Sequence, residues 1–315
     1  MVRIGVDIGG TNVAVGIVGE DYRLIKKKST PTAKDDPYGI TDAIVSLSRE
    51  LLADCGASIE EVASLGIGYP GIVDDAAGVA VYANNLGFRD FPFAREIRKQ
   101  LPIESIHLGN DANAAALGEA VAGAARGAKN VVVITLGTGV GGGIIIGGHL
   151  YTGANDVAGE LGHMVIERGG YPCSCGRRGC FEAYSSATAL VRMTRDALGA
   201  HPESEMHALV AKKNGKVSAR VPFDAARAGD TAAKEVIDTY LSYLACGISN
   251  LINIFQPEVI VIGGGISGEG ENLTGPLTPI VLRECYGNGI VKMPALLTAT
   301  LGNDAGIIGA ACLGI

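Results

Sequence analysis

The sequence predicts an α/β fold of two lobes with similar cores, and three observations carry that expectation. Asp7–Val18 ("DIGGTNVAVGIV") and Thr135–Ile146 ("TLGTGVGGGIII") share one grammar. Each follows an apolar, β-branched run, turns through Gly and Thr, and re-enters an apolar strand, as a hairpin does. Each then meets a second turn, at Gly19–Asp21 or at Gly147–Gly148. The offset between them, from residue 7 to residue 135, is too long for a solenoid repeat and suits two lobes of one design. The third observation is "KEVIDTYLSYLACGISNLINIF", with apolar residues at helical spacing from Val236 to Ile252. Pro257 stops that helix, "EVIVIG" reads as a buried strand, and Gly263–Gly264–Gly265 turns out of it.

Along the rest of the chain, Thr41–Cys55 and Ala112–Gly127 read as helices, while "SLGIGYPGIVD" and "SIHLGND" read as strands running into loops. Leu190–Val217 is mixed and has no dominant period. No Ser/Pro-rich linker divides the chain, so the lobes are expected to connect directly.

Composition excludes several classes. Glycine accounts for 46 of 315 residues, about twice the usual share and without a collagen period. Such usage fits tight turns and backbone that approaches a ligand closely. Net charge is −7, and the basic runs, Lys26–Lys28 and Arg177–Arg178, are too short for a nucleic-acid footprint. The apolar start fails as a signal peptide because Asp7 interrupts it and the glycine pair is a turn signal. Val131–Gly148 runs eighteen residues without a charge, but seven are glycine and the rest largely β-branched, which suits two buried strands rather than a membrane span. Seven cysteines, odd in number and unevenly spaced, fit a reducing compartment, and a cytoplasmic protein is expected.

Three glycine turns after strands can aim backbone N–H groups at an anion. They are Gly9–Gly10–Thr11–Asn12, Gly137–Thr138–Gly139 and Gly263–Gly264–Gly265. Asp7, directly before the first, supplies a carboxylate suited to a hydrated Mg²⁺ beside phosphates. Thr11 and Thr138 add hydroxyls. Gly137–Gly142 also matches G-x-G-x-x-G, with Asp156 downstream, but the dinucleotide reading needs a helix to start at the third glycine. The next residues, "GIIIGGHLY", read as a strand. The P-loop pattern G-x-x-x-x-G-K-[ST] is absent.

"DIGGTN", "LGNDANAAALGEA", "LGTGVGGGIIIGG", "AGELGH" and "CSCGRRGCFE", in this order, resemble the ROK family of sugar kinases and related repressors, most closely its bacterial ATP-dependent glucokinase branch. The resemblance runs from residue 2 to the C-terminal "GNDAGIIGAA". It implies a two-lobed, actin/hexokinase-like fold (a duplicated ribonuclease H-like core) with ATP and sugar in an inter-lobe cleft. The small lobe would span 1–112, completed by a C-terminal helix at 304–315, and the large lobe 113–303 would carry the cysteine loop.

Asp111, between a strand and an alanine-rich helix, reads from its neighbours as a helix N-cap. The resemblance instead implies the catalytic base that takes the proton of the sugar's 6-hydroxyl during phosphoryl transfer. Asn110, Glu160, His163 and Glu182, with Gly71 of "GYPG" and Asn85 of "NNLGF", are the sugar contacts it implies, together with Asp111. Phe88 stands where many relatives carry tryptophan, which this chain lacks altogether. Gly264 and Gly265 are implied to lie near the adenosine.

Cys173, Cys175 and Cys180 fall within eight positions, ten residues after His163. C-x-C is not the C-x-x-C of thioredoxin-like sites, and a disulfide would leave one thiol over. The spacing H-x₉-C-x-C-x₄-C offers a closed Cys₃His set for structural Zn²⁺, and the family pattern matches each position. Cys55, Cys246, Cys285 and Cys312 read as small core residues.

The sequence-level expectation is an ATP-dependent, Mg²⁺-requiring kinase that phosphorylates a hexose at its 6-hydroxyl, glucose first. N-acetylmannosamine, fructose or allose are alternative substrates, and a sugar-responsive transcriptional regulator is a further alternative. The resemblance also implies a homodimer or homotetramer, without nucleic-acid or membrane partners.

Overall fold

The structure, a computed structural model, describes all 315 residues. Its first half comprises β1 (Val2–Ile8), β2 (Asn12–Val18), β3 (Leu24–Pro31), α1 (Pro37–Cys55), β4 (Val62–Tyr69), β5 (Ile72–Asp74), β6 (Val79–Tyr82), β7 (Arg89–Phe91), α2 (Phe93–Arg98), β8 (Ile106–Asn110) and α3 (Asp111–Val121). Next come β9 (Val131–Leu136), β10 (Val140–Ile146), β11 (His149–Leu150), α4 (Glu182–Ser185), α5 (Ala187–Ala200), α6 (Met206–Ala211) and α7 (Arg220–Arg227). The chain closes with α8 (Thr231–Phe255), β12 (Val259–Gly263), α9 (Glu271–Glu284), β13 (Ala295–Thr298) and α10 (Ala305–Ala311).

The first five-stranded sheet has the order β3-β2-β1-β4-β8. β1, β2 and β3 form an antiparallel meander, and β4 and β8 continue parallel to β1. The second sheet, β11-β10-β9-β12-β13, repeats that order. The two matched sequence segments are therefore the hairpins β1–β2 and β9–β10, each occupying the same place in its sheet. A separate small antiparallel sheet, β5-β6-β7, follows β4 in the chain. The uncharged stretch Val131–Gly148 forms β9 and β10, as its β-branched content requires, and no helix is long and apolar enough to cross a membrane.

Strand alternation sorts the first sheet into two faces. Ile4, Val6, Ile8, Val13, Val15, Ile17, Leu65 and Ile67 pack with Ile40, Ile44 and Leu51 of α1 in a buried core. The opposite face carries Gly5, Asp7, Gly16 and Gly66, and α10 lies on it. A Cβ on Gly5 would stand 1.9 Å from the Ile307 carbonyl oxygen, and one on Gly66 1.8 Å from that of Ala310. Only glycine lets the helix backbone rest directly on the strands.

The chain divides into two compact units: Met1–Val131 with Gly143–Gly159 and Thr300–Ile315, and Val132–Gly142 with Glu160–Ala299. The expected boundary at 112 falls inside α3, which lies in the first unit: Gly118 admits the Ala305 backbone of α10, and Gly309 of α10 admits the Ala114 backbone. Leu190–Val217, without a period in sequence, contains part of α5 and all of α6. Ser186 caps α5 by accepting the Ala189 N–H, and the six residues of α6 are too few to show helical periodicity.

Candidate active site and metal centre

In the first unit, the turn after β1 is tied at both ends. The Gly9 N–H donates to the Asn12 carbonyl at 2.8 Å, and the Thr32 hydroxyl donates to the Gly9 carbonyl at 2.7 Å. The Thr32 N–H donates to the Thr11 carbonyl at 2.9 Å. With these carbonyls engaged inward, the turn borders a cavity of about 520 Å³ lined also by Asp7, Lys27, Ser29 and Asp304. Asp7 projects from the α10 face of β1, and burial pushes its carboxyl above the usual carboxylate range. A cation would relieve that cost. One carboxylate beside a backbone anion cradle is a donor set that Mg²⁺ accepts together with substrate phosphates. Asn85 lies beside Gly10, where a Cβ would be 3.8 Å from the Asn85 amide nitrogen.

β8 delivers Asn110 and Asp111 to the start of α3. The N-cap of that helix is Asn110, not Asp111: its side-chain oxygen accepts the N–H groups of Ala112 at 2.9 Å and Asn113 at 3.2 Å. Asp111 is the first residue of α3 itself, with Oδ1 accepting the Ala112 N–H at 2.8 Å. Asn110 also donates to the Gly71 carbonyl at 3.3 Å, so Gly71, Asn110 and Asp111 come together. Phe88 packs against Tyr69, Phe91 and Phe93 with ring centroids 5.9–6.5 Å away, preserving an apolar wall without tryptophan.

Two residues of α3 carry duties that the sequence did not signal as functional. Asn113 is buried, its Oδ1 has no hydrogen-bond partner, and it lines a cavity of about 250 Å³ together with Asn110. Glu119 is 1% exposed and accepts N–H groups from Ala124, Thr300 and Leu301. An amide and an acid inside an alanine-rich helix were the available signals.

In the second unit, the turn after β9 is held by α5: the Ala187 N–H donates to the Gly137 carbonyl at 2.8 Å and the Thr188 hydroxyl to the Thr138 carbonyl at 2.7 Å. β10 follows the turn directly, so the helix that a dinucleotide fingerprint requires is not there. Gly264 has φ +80°, and a Cβ on it would stand 2.5 Å from the Leu136 carbonyl oxygen. The Gly264–Gly265 turn and the Gly137 turn are thus neighbours.

Glu182, the first residue of α4, spans two parts of this unit. Its Oε2 accepts the Val140 N–H at 3.0 Å and its Oε1 accepts the Ser174 hydroxyl at 3.2 Å. It links the Gly137–Gly139 turn to the cysteine loop. That loop is folded by the bridges Val165–Cys180 and Pro172–Arg178, and Arg192 stacks 3.8 Å over the Tyr171 ring.

The ligand atoms of His163, Cys173, Cys175 and Cys180 lie within 4.8 Å of one another. Cys173 Sγ is 3.6 Å from His163 Nδ1, and Cys175 Sγ is 3.7 Å from Cys180 Sγ. A tetrahedron with metal–sulfur bonds of about 2.3 Å has sulfur–sulfur edges of about 3.8 Å, so these separations fit one central ion. Disulfide bonding needs about 2.05 Å and is not made; all seven cysteines are free thiols. Burial pushes the Cys180 thiol up to about 12, while the Arg177 backbone N–H draws the Cys175 thiol down. A shared cation is what would hold all three sulfurs as thiolates. With Nδ1 turned to the sulfurs, His163 Nε2 faces the Glu160 carboxylate at 3.9 Å. Cys285 and Cys312 are buried and Cys55 and Cys246 partly so, as small core residues should be.

Known proteins resemble this chain over nearly its whole length. The ROK family profile matches residues 3–315. A glucokinase of Halalkalibacterium halodurans is 41% identical over 97% of this chain and 92% of its own length. A glucokinase of Thermotoga maritima is 39% identical over 98% of this chain and 96% of its own. Among solved structures, a ROK family glucokinase from Streptomyces griseus, in complex with glucose and AMPPNP, superposes with a TM-score of 0.80 at 36% identity, covering 99% of both chains. The motifs, the duplicated sheet order and the full-length match agree: the chain belongs to the ROK family.

Proposed function

We propose that the protein is an ATP-dependent hexose kinase that converts glucose to glucose 6-phosphate. The observation that carries this reading is the full-length similarity to glucokinases, joined to a carboxylate, Asp111, at the head of α3 beside Asn110 and Gly71. Phosphoryl transfer asks little covalent chemistry of a protein; positioning and charge neutralisation dominate. The Asp111 carboxylate receives the 6-hydroxyl proton as that oxygen bonds to the γ-phosphorus and the bond from phosphorus to the β,γ-bridging oxygen breaks, releasing ADP.

Asn110, Gly71, Asn85, Glu160, His163 and Glu182 are the proposed hydroxyl contacts. Glu182 already accepts three protein hydrogen bonds, from Val140, Ser174 and the Cys173 thiol, but a carboxylate has about four acceptor sites and retains capacity for a sugar hydroxyl. Gly9, Gly10, Thr11 and Asn12, and Gly137, Thr138 and Gly139, are the proposed phosphate cradles, with Gly264 and Gly265 near the adenosine. Asp7 would hold Mg²⁺, which when bound neutralises charge on the transferring phosphates. The four-ligand cluster is assigned to Zn²⁺, because three thiolates and an imidazole match its preference. Four protein ligands would leave no open position, so His163, Cys173, Cys175 and Cys180 would be tied into one loop shape on binding, with the His163 tautomer fixed and Nε2 left for substrate. We place the protein in the cytoplasm as a homo-oligomer, in keeping with its thiol-rich composition and its family.

A panel measuring ADP release with glucose, fructose, mannose, allose and the N-acetylated hexosamines tests the reading. Glucose should give the highest kcat/KM. No ADP release with any hexose would overturn the assignment.

A further inference from the structure

We propose that Lys27 binds the phosphate tail of the donor nucleotide, with Asp304 as its resting partner when no donor is present. The inference rests on the reading of the Gly9–Asn12 turn as a phosphate cradle. It begins with the run Lys26–Lys27–Lys28 on β3, which alternation splits between the two faces of the sheet. Lys26 pairs with Asp54 at 3.2 Å, and Lys28 pairs with Glu50 at 2.9 Å and Asp54 at 3.1 Å, all on α1. The acids of α1 thus account for both outer lysines, and although Lys28 borders the cavity its ammonium is engaged there.

Lys27 points the other way. Its register partner on β2 is Gly16, whose bare Cα lies under Ile307 of α10. On this face the Lys27 ammonium meets the Asp304 carboxylate, and both border the cavity formed by Asp7 and the Gly9–Asn12 turn. Lys27 is half-exposed, so its flexible stem can leave Asp304 for an anion without a large desolvation cost. A cavity of about 520 Å³ holding one available ammonium, one carboxylate suited to a divalent cation, and a ring of turn backbone suits a metal-bound polyphosphate. Asp304 competes with that anion for Lys27 and repels it.

If Lys27 and Asp304 formed only a surface ion pair, removing either partner would have the same small effect. The donor-binding role separates them. K27M should raise the KM for MgATP about tenfold, as loss of one charge-assisted contact does, with the hexose KM unchanged. D304N should leave the KM for MgATP unchanged or lower it, and K27R should restore most of the affinity. Inorganic tripolyphosphate, used as a competitor of MgATP, should weaken in K27M by the same factor as MgATP. A K27M enzyme with wild-type KM for MgATP, or K27M and D304N shifting together, overturns the role of Lys27. Failure of the wild-type enzyme to use MgATP overturns instead the cradle reading beneath it.

Discussion

Replacement of Glu119 by alanine tests the packing logic that joins α3 to the segment before α10. This carboxylate is 1% exposed and accepts N–H groups from Ala124 at 2.8 Å, Thr300 at 3.0 Å and Leu301 at 2.8 Å. The Thr300 hydroxyl is a fourth donor, at 3.4 Å. Removing the acceptor strands these groups, and each orphaned donor costs about 1–3 kcal/mol. Ala124, Thr300 and Leu301 are not fully buried, so water reaches them in the variant and the lower end of that range applies. Three N–H groups at about 1 kcal/mol each give a loss of about 3 kcal/mol, or a fall in Tm of roughly 5 °C for a chain of this size. Glu119→Gln should lie between, since its amide keeps one acceptor oxygen. Thermal unfolding followed by circular dichroism measures both. A shift below roughly 1 °C for Glu119→Ala would refute the view that this carboxylate organises the segment.

Asp111→Asn should leave hexose binding by calorimetry nearly intact while turnover drops about 10²- to 10⁴-fold; turnover within about tenfold of wild type removes the base assignment. Cys175→Ala should lose bound metal, read by elemental analysis at one zinc per wild-type chain, and most activity; a fully active zinc-free protein contradicts the structural role. Asp230, the N-cap of α8, has its carboxyl pushed up by burial but drawn further down by hydrogen bonds from Ala233, Ser204 and Glu205, for a net lowering. Its stabilisation is therefore complete above the ordinary aspartate value of about 3.9 and is lost as pH falls through the lowered folded value. Asp230→Asn should melt earlier at pH 7 and show a smaller further loss below pH 4; an acid limb identical to wild type would contradict this.

Hairpins, the long helix α8 and the cysteine cluster were legible because each is a local pattern: alternation, a 3.6-residue period, or ligand spacing. The cap of α3 was misplaced by one residue, since Asn110 and Asp111 are both good caps and only the backbone at Asn110 decides between them. The duty of Glu182 between the glycine turn and the cysteine loop was not legible, because its partner Val140 is 42 residues away and contributes only a backbone N–H. The role of Gly5 and Gly66 was hidden for a similar reason. Their glycine content was visible, but the helix that needs it lies some 240 to 300 residues further along. α9 contains Pro276 and Pro279, which in sequence argue against a helix and are tolerated here by tertiary packing of Leu273, Leu277 and Val281.

The seating of α10 on Gly5 and Gly66 bears on how the protein is made. β1 is synthesised well before α10, and the part of the sheet at Gly5 and Gly66 stays uncovered until residues 305–311 appear. At roughly 5–20 residues per second, that interval is roughly 15–60 s. During it, the glycine-lined strip remains open to solvent and to chaperones, while the second unit is complete by Ala299. The unit that holds Gly5 and Gly66 is the last one able to close.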